Sequence, residues 1–284
     1  MKSTIVLFLS FILTIPVFSQ DSTSVSNSIS GQSSGKADSP YKTSWKVDGP
    51  VIAGTLGLNF LGLSLIKNKE GLTETEVMYK RAHKSDVNGI DRFAAGNYSE
   101  NADKLSYYPF YASFAMPVAM LLNKKIGSKA GQVMAMYVET MAVTGAVYSI
   151  TAGSVNRSRP YVYGSETPLD KSMKKGARRS FFAGHTAATA SATFFAAKVY
   201  SDFNPDSRAK PYVWAAAAVV PAVVGYYRVQ SGNHFLTDNL LGYAVGAGAG
   251  ILVPQLHKKG SSNNLSVVPV TTPEYRGLNL SYTF

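Results

Sequence analysis

Apolar residues in this chain gather into six runs: Val47 to Ile66, Tyr107 to Leu122, Ala130 to Thr151, Phe181 to Tyr200, Tyr212 to Tyr227 and Phe235 to Pro254. Each is long enough for a helix, and none shows the alternation of a half-buried strand. Gly, Ala and Ser recur in these runs and let helices approach closely, so the pattern predicts an all-α, six-helix bundle in or near a membrane. A spanning helix wants about 20 mostly apolar residues. Tyr107 to Leu122 is shorter, and Asn59, Glu139 and Asp238 interrupt the runs. Glu139 is expected to be paired or to face water inside the bundle. Trp45, Tyr107, Tyr108, Tyr226 and Tyr227 suit interfacial anchors or core packing.

The flanks read differently. Lys2 precedes an apolar stretch from Ile5 to Phe18 that ends at Val17-Phe18-Ser19-Gln20. It is short for a span, and residues 1–20 are expected to be a cleaved export signal. Residues 21–44 are Ser, Gly, Asn and Gln with almost no large apolar side chain, which predicts a disordered leader. Residues 45–256 form the expected helical domain. Within them, Lys67 to Lys104 mixes both charges and reads as an exposed excursion without function, with His83 a surface residue. In the tail, residues 257–284, Leu265 to Phe284 partly alternates around Pro269, Pro273 and Gly277, which predicts a short β-hairpin-like appendage. His257, beside Lys258 and Lys259, is expected at an interface or in solvent.

Composition narrows the chemistry. The absence of cysteine among 284 residues excludes disulfides, thiolate metal sites and cysteine nucleophiles. A net charge of +11, from 28 Lys+Arg against 17 Asp+Glu, suits an anionic partner such as lipid headgroups. With no nucleic-acid-reading motif beside it, a nucleic-acid partner is not expected. A mean hydropathy of −0.01 is low for a protein of many spans. Arg157, Arg159, Lys171, Lys174, Lys175, Arg178 and Arg179 crowd one inter-helical stretch, which is as well explained by a solvated loop as by a site, Arg159 apart.

Three stretches carry candidate chemistry: Arg157-Ser158-Arg159-Pro160 after the third run, Ala183-Gly184-His185 opening the fourth, and Arg228-x-x-x-x-x-His234-x-x-x-Asp238 between the fifth and sixth. Helix ends on one side of a bundle can converge, and a helix N-terminus offers free N–H groups to phosphate. In such a pocket Arg159 and Arg228 would neutralise phosphoryl oxygens with planar donor forks. His234 would attack phosphorus. Asp238, one turn later, would accept its other ring N–H and fix the tautomer, and His185 would serve as general acid and then base. Gly184 is weighed equally as a packing glycine and as a point of close backbone approach to phosphate. No metal or other cofactor is called for.

These residues resemble the type-2 phosphatidic acid phosphatase superfamily, whose pattern runs K-x-x-x-x-x-x-R-P, P-S-G-H and S-R-x-x-x-x-x-H-x-x-x-D. The match covers roughly Ala130 to Pro254. It implies the roles just given for Arg159, His185, Arg228, His234 and Asp238, and a membrane-associated enzyme acting on a phosphorylated lipid. The sequence departs from the pattern at three places: Ala152 stands at the lysine, Phe182-Ala183 at the proline-serine pair, and Tyr227 at the serine before Arg228. Arg157, Lys174 or Lys175 are candidates to replace the missing cation. Other readings are a soluble periplasmic acid phosphatase, a vanadate-dependent haloperoxidase, and a non-catalytic binder of anionic lipid. If the export signal places the N-terminal side in the periplasm and every run spans, the Arg159 loop is cytoplasmic. A periplasmic site requires one run not to span, and the glycine-rich first run is the candidate.

Overall fold

The computed structural model describes residues 38–260, 265–271 and 276–282, the last two segments through their backbone only. The expected export signal, and the leader up to residue 37, lie outside the described residues. The fold of the helical domain is all-α. Its long helices are α1 (Trp45–Lys67), α3 (Glu100–Ala119), α5 (Ala130–Ser154), α7 (Gly184–Phe203), α8 (Lys210–Gln230) and α9 (Leu236–Leu256). Shorter ones, α2 (Glu74–Ala82), α4 (Lys124–Gly127) and α6 (Leu169–Met173), sit in the connections. In the tail, β1 (Leu265–Thr271) and β2 (Arg276–Tyr282) pair antiparallel, with Leu265 opposite Tyr282 and Thr271 opposite Arg276.

Small residues set the packing. Along α9, Gly242, Gly246 and Gly250 recur every four residues and lie against Ala183, Ala187 and Ser191 of α7; a Cβ on Gly246 would come within 2.1 Å of the Ala187 carbonyl oxygen. Only glycine allows this approach, and it holds α7 and α9 parallel. In the same way Gly62 of α1 meets Ser149 of α5, and Gly153 meets Leu65, so α1 and α5 also run parallel. α7 is the central helix, packed against α3, α5, α8 and α9. Its Thr and Ser hydroxyls are satisfied internally, Thr193 Oγ1 donating to Ala217 O at 2.9 Å and Ser191 Oγ to Gly246 O at 3.1 Å. That lets a polar-rich sequence be the most interior element.

The helix directions alternate. Asp103 near the start of α3 bonds Arg228 near the end of α8, and Arg157 just past α5 bonds Asp238 at the start of α9. One end of the bundle thus collects the C-terminal ends of α1, α5 and α8 with the N-terminal ends of α3, α7 and α9. The opposite end collects residues 38–44 and 257–259: Tyr41 donates to Asp202 at 2.7 Å and Lys42 N to His257 O at 2.8 Å. Tyr41 is 1% exposed and packs with Phe203, Met136 and Phe195. Residues 38–44, expected within a disordered leader, are therefore anchored to the bundle through Tyr41, because one aromatic side chain outweighs its polar surroundings.

Five helical stretches are long and apolar enough to cross a membrane: Trp45–Lys67, Glu100–Leu122, Ala130–Ser154, Lys210–Gln230 and Leu236–Leu256. The first is the most apolar of them, and only its Asp48 and Gly62 are buried. By length and composition the first run qualifies as a span along with the other four; the helix outside this set is α7, whose polar residues face protein. Trp45, Tyr108 and Tyr226 project from helix ends or surfaces. Tyr107 turns inward.

Candidate functional site

The three sequence stretches meet at one end of the bundle. His234 follows a turn in which Gly232 takes φ +71°, and a Cβ there would fall 1.8 Å from Asn97 O, so this position admits only glycine. The turn seats His234 in the interior, 2% exposed. Its Nδ1 lies 2.5 Å from the Ser180 carbonyl oxygen. A carbonyl can only accept, so Nδ1 carries the proton and Nε2 keeps its lone pair. Burial first, then the Arg159 and Arg228 charges, hold the His234 pKa well below the ordinary histidine value. The ring is neutral and its Nε2 is available as a nucleophile.

His185 opens α7, and burial first, then the Arg228 and Arg159 charges, hold its pKa well below the ordinary histidine value as well. Its half-buried ring is seated by Phe110 and Tyr107 of α3, with centroids 4.5 and 5.2 Å away. The first N–H groups of α7 have no carbonyl four residues earlier to bond, which favours negative charge beside His185. Gly184 resolves toward packing, since a Cβ there would be 2.6 Å from the Tyr148 ring.

Asp238 does not do what the spacing predicts. It makes no bond to His234: Oδ1 pairs with Arg157 Nη1, while Oδ2 accepts from Ser180 Oγ at 2.5 Å and from Phe235 N at 2.9 Å. The last of these caps α9 and draws the carboxylate back toward its own helix start, away from the imidazole. Ser180, a residue to which the sequence reading gave no role, bridges the two by giving its hydroxyl to Asp238 and its carbonyl to His234.

Arg157 is likewise corrected as a phosphate ligand. Its Nη1 is held by Asp238 and Thr237, and its Nη2 by Asp91 Oδ2 at 2.6 Å. Asp91, 0% exposed, also accepts from Thr237 N and Oγ1 and from Asn88. Burial would raise its pKa, but these bonds hold it below the usual carboxylate value. Lys174 pairs with Asp170 in solvent and Lys175 reaches the Lys67 carbonyl, so neither replaces the lysine missing at Ala152.

The excursion between α1 and α3, in which the sequence reading saw no function, braces the site through Asp91 and, at the start of α3, Asp103. Asp103 Oδ1 accepts from Arg228 Nη1 at 2.6 Å and from Asn233 Nδ2 at 2.9 Å, and Ser106 Oγ adds a further acceptor for Arg228 at 3.2 Å. Arg159 reaches Asn233 Oδ1 through Nη1 at 2.6 Å and the Arg179 carbonyl through Nε at 3.3 Å. Among the described residues, neither Arg159 nor Arg179 has a carboxylate partner, whereas Arg157, Arg178 and Arg228 do. Arg179 is half-buried beside Arg159, its Nε unbonded, and burial followed by the Arg159 charge lowers its pKa from the ordinary arginine value. Two uncompensated guanidiniums side by side repel each other, and an anion between them relieves that repulsion.

Of the predicted residues, then, Arg159, His185, Arg228 and His234 come together, Asp238 joins through Ser180, and Arg157 serves as a brace. The other two histidines lie apart: His83 is exposed and stacked on Tyr79, and His257 is buried at the far end. A cleft of about 390 Å³ lined by Lys69, Asn156 and Arg178, and one of about 400 Å³ lined by Asp38, Lys125 and Lys258, open elsewhere.

In comparisons with known proteins, residues 134–261 match the PAP2 superfamily. The matched stretch begins within α5 and contains Arg159, His185, Arg228, His234 and Asp238; Asp91 and Asp103 precede it. No curated protein and no solved structure matches the chain.

Proposed function

From the match of residues 134–261 to the PAP2 superfamily we propose that the chain is a phosphatase of the cell envelope that hydrolyses lipid phosphate or pyrophosphate esters through a phosphohistidine. The observation that carries this reading is the neutral, buried His234 with Nε2 free, set among Arg159, Arg228 and His185.

In the first step His185 is protonated as the negative charge of the bound phosphoryl group offsets the Arg228 and Arg159 charges that, after burial, depress its pKa; Nε2 of His234 attacks phosphorus, the N–P bond forms as the ester P–O bond breaks, and the leaving oxygen takes that proton from His185. In the second, His185 takes a proton from water, the water oxygen attacks phosphorus, the P–N bond breaks, and phosphate leaves with His234 restored. Arg159 and Arg228 meet the charge on the equatorial oxygens. Arg179 takes the part of the lysine absent at Ala152, which supports full charge neutralisation despite that departure. Charge is met by guanidiniums throughout, and the steps as written use no metal.

A lipid substrate is supported by the exposed apolar side chains of the membrane-length helices, among them Leu56, Phe60 and Leu61 on α1, Val219 on α8, and Leu240 and Leu252 on α9. These surfaces weigh against the soluble acid phosphatase reading.

The test is phosphate release from a phosphatidic acid in mixed micelles by the full chain and by His234→Ala, with trapping of an acid-labile, base-stable phosphoryl-enzyme. Turnover and the trapped species are expected in the wild type and absent from His234→Ala. Equal turnover in both overturns the nucleophile. Hydrolysis of soluble phosphomonoesters alone, by protein that stays in solution without detergent, overturns the lipid assignment.

A further inference from the structure

At the end of the bundle away from His234, three side chains from three helices point at one another. His257 Nε2 lies 3.3 Å from Asp48 Oδ1 and 3.4 Å from Glu139 Oε2, and one potential ligand atom from each residue falls within 4.8 Å of the others. Asp48 comes from the first turn of α1, Glu139 from the interior of α5, and His257 from the end of α9. The side chains are 11%, 10% and 10% exposed, respectively.

The hydrogen bonds around the cluster leave its centre unexplained. His257 Nδ1 lies 2.8 Å from Val253 O, so Nδ1 is the donor and Nε2 is left facing two carboxylates. Asp48 has one further partner, the Ser44 N–H on Oδ2 at 2.8 Å. Glu139 accepts no hydrogen bond among the described residues. A nine-tenths buried carboxylate facing a second carboxylate is repulsive unless positive charge lies between them.

Geometry and charge fit the same occupant. Ligand atoms bound tetrahedrally at about 2.0–2.1 Å stand about 3.3–3.4 Å apart, which is the separation of Nε2 from each carboxylate oxygen. Two carboxylates and a neutral imidazole sum to −2, the charge a divalent cation cancels, whereas a proton on His257 leaves −1. The outer bonds, Nδ1 to the Val253 carbonyl and Ser44 N–H to Asp48, are of the kind that orient metal ligands.

We propose that Asp48, Glu139 and His257 form a site for a divalent transition-metal ion of the zinc type, separate from the phosphatase chemistry, that clamps the first helix and the last to α5. Glycine-mediated packing already joins α1 to α5; the ion adds a link from α1 to α9, the two ends of the helical domain.

The test uses the untagged full chain in detergent, stripped with chelator and titrated with Zn²⁺ and with Co²⁺. One equivalent per chain is expected, with a visible Co²⁺ spectrum of tetrahedral strength that Zn²⁺ abolishes and a thermal midpoint that rises with Zn²⁺. His257→Ala and the pair Asp48→Asn with Glu139→Gln are expected to lose the metal while retaining helical circular dichroism. A measurement on the wild type alone guards against misfolded variants: Zn²⁺ is expected to shield His257, and not the exposed His83, from carbethoxylation read by mass spectrometry. No stoichiometric metal, binding that survives His257→Ala, or equal modification of His257 with and without Zn²⁺ overturns the proposal in favour of a protonated imidazole between two carboxylates.

Discussion

His234 and Asp238 stand one helical turn apart and are joined only through Ser180, whose carbonyl accepts from the imidazole at 2.5 Å and whose hydroxyl donates to the carboxylate at 2.5 Å. In the mechanism proposed above, Asp238 acts on His234 by positioning the Ser180 backbone. Ser180→Ala keeps that carbonyl but strips one donor from Asp238, and is expected to cost about 1–2 kcal/mol of stability and a modest share of kcat. Asp238→Asn also loosens Arg157, and is expected to lower kcat by about a hundredfold with little change in KM. A direct His–Asp bond would make Ser180→Ala silent, so parallel assays of the two variants decide the point.

Arg179 is expected to bind the phosphoryl group. Arg179→Ala should raise KM by about tenfold or more, from the loss of a charge-assisted bond worth about 1.5–3 kcal/mol. Arg179→Lys should recover part of this. Arg178→Ala, whose guanidinium pairs with Glu76 at 2.7 Å, should leave KM near the wild-type value and serves as the control.

Asp91 carries stability that the sequence does not advertise. Asp91→Ala leaves Arg157 with a single carboxylate and Thr237 without its acceptor. It is expected to lower stability by about 3–5 kcal/mol, as does removing one partner of a buried pair. The thermal midpoint of the purified variant measures it, and a change within experimental error would show that the loop is not a brace.

Stability should fall with acid in two stages. The folded pKa of His234 is depressed, so below about pH 6.5 the unfolded chain takes up a proton that the folded chain does not. Its contribution is complete above that pH and shrinks as pH drops toward the folded value. Asp91, also depressed, contributes above about pH 3.9 and loses its contribution as pH falls further. His234→Gln should shrink the first stage and leave the second unchanged, the remainder of the first coming from His185, whose pKa is depressed in the same direction, as read from thermal midpoints across the acid range.

Gly246 tests the parallel packing of α9, which follows His234, against α7, which carries His185 in its first turn. Gly246→Ala puts a methyl where the Ala187 carbonyl sits 2.1 Å away, and should cost about 1–3 kcal/mol of stability while reducing turnover by separating His185 from His234. Gly248→Ala, with open space at its Cβ position, should do neither.

The helices and the convergence of Arg159, His185, Arg228 and His234 were legible because their signals are local: apolar runs of helical length, and Arg and His set at the ends of those runs. What supports them was not. Asp91 reaches Arg157 across 66 positions, Asp103 reaches Arg228 across 125, and Ser180 reaches Asp238 across 58. No periodicity encodes such pairings. Spacing also misled where it placed Asp238 on His234, because a carboxylate at the third position of a helix has a nearer donor in the N–H of the residue before the helix, here Phe235. Tyr41 was lost in a run of serines for a similar reason, since its place in the core depends on Asp202 and Phe203, far along the chain.

Tyr41 and His257 both sit at the end of the bundle remote from His234. If the bundle crosses a bilayer, Tyr41 and His257 share one aqueous face, and on the function proposed above the phosphorylated headgroup approaches from the other. An impermeant thiol label on Lys42→Cys and a membrane-impermeant substrate are accordingly expected to mark opposite faces of the bilayer.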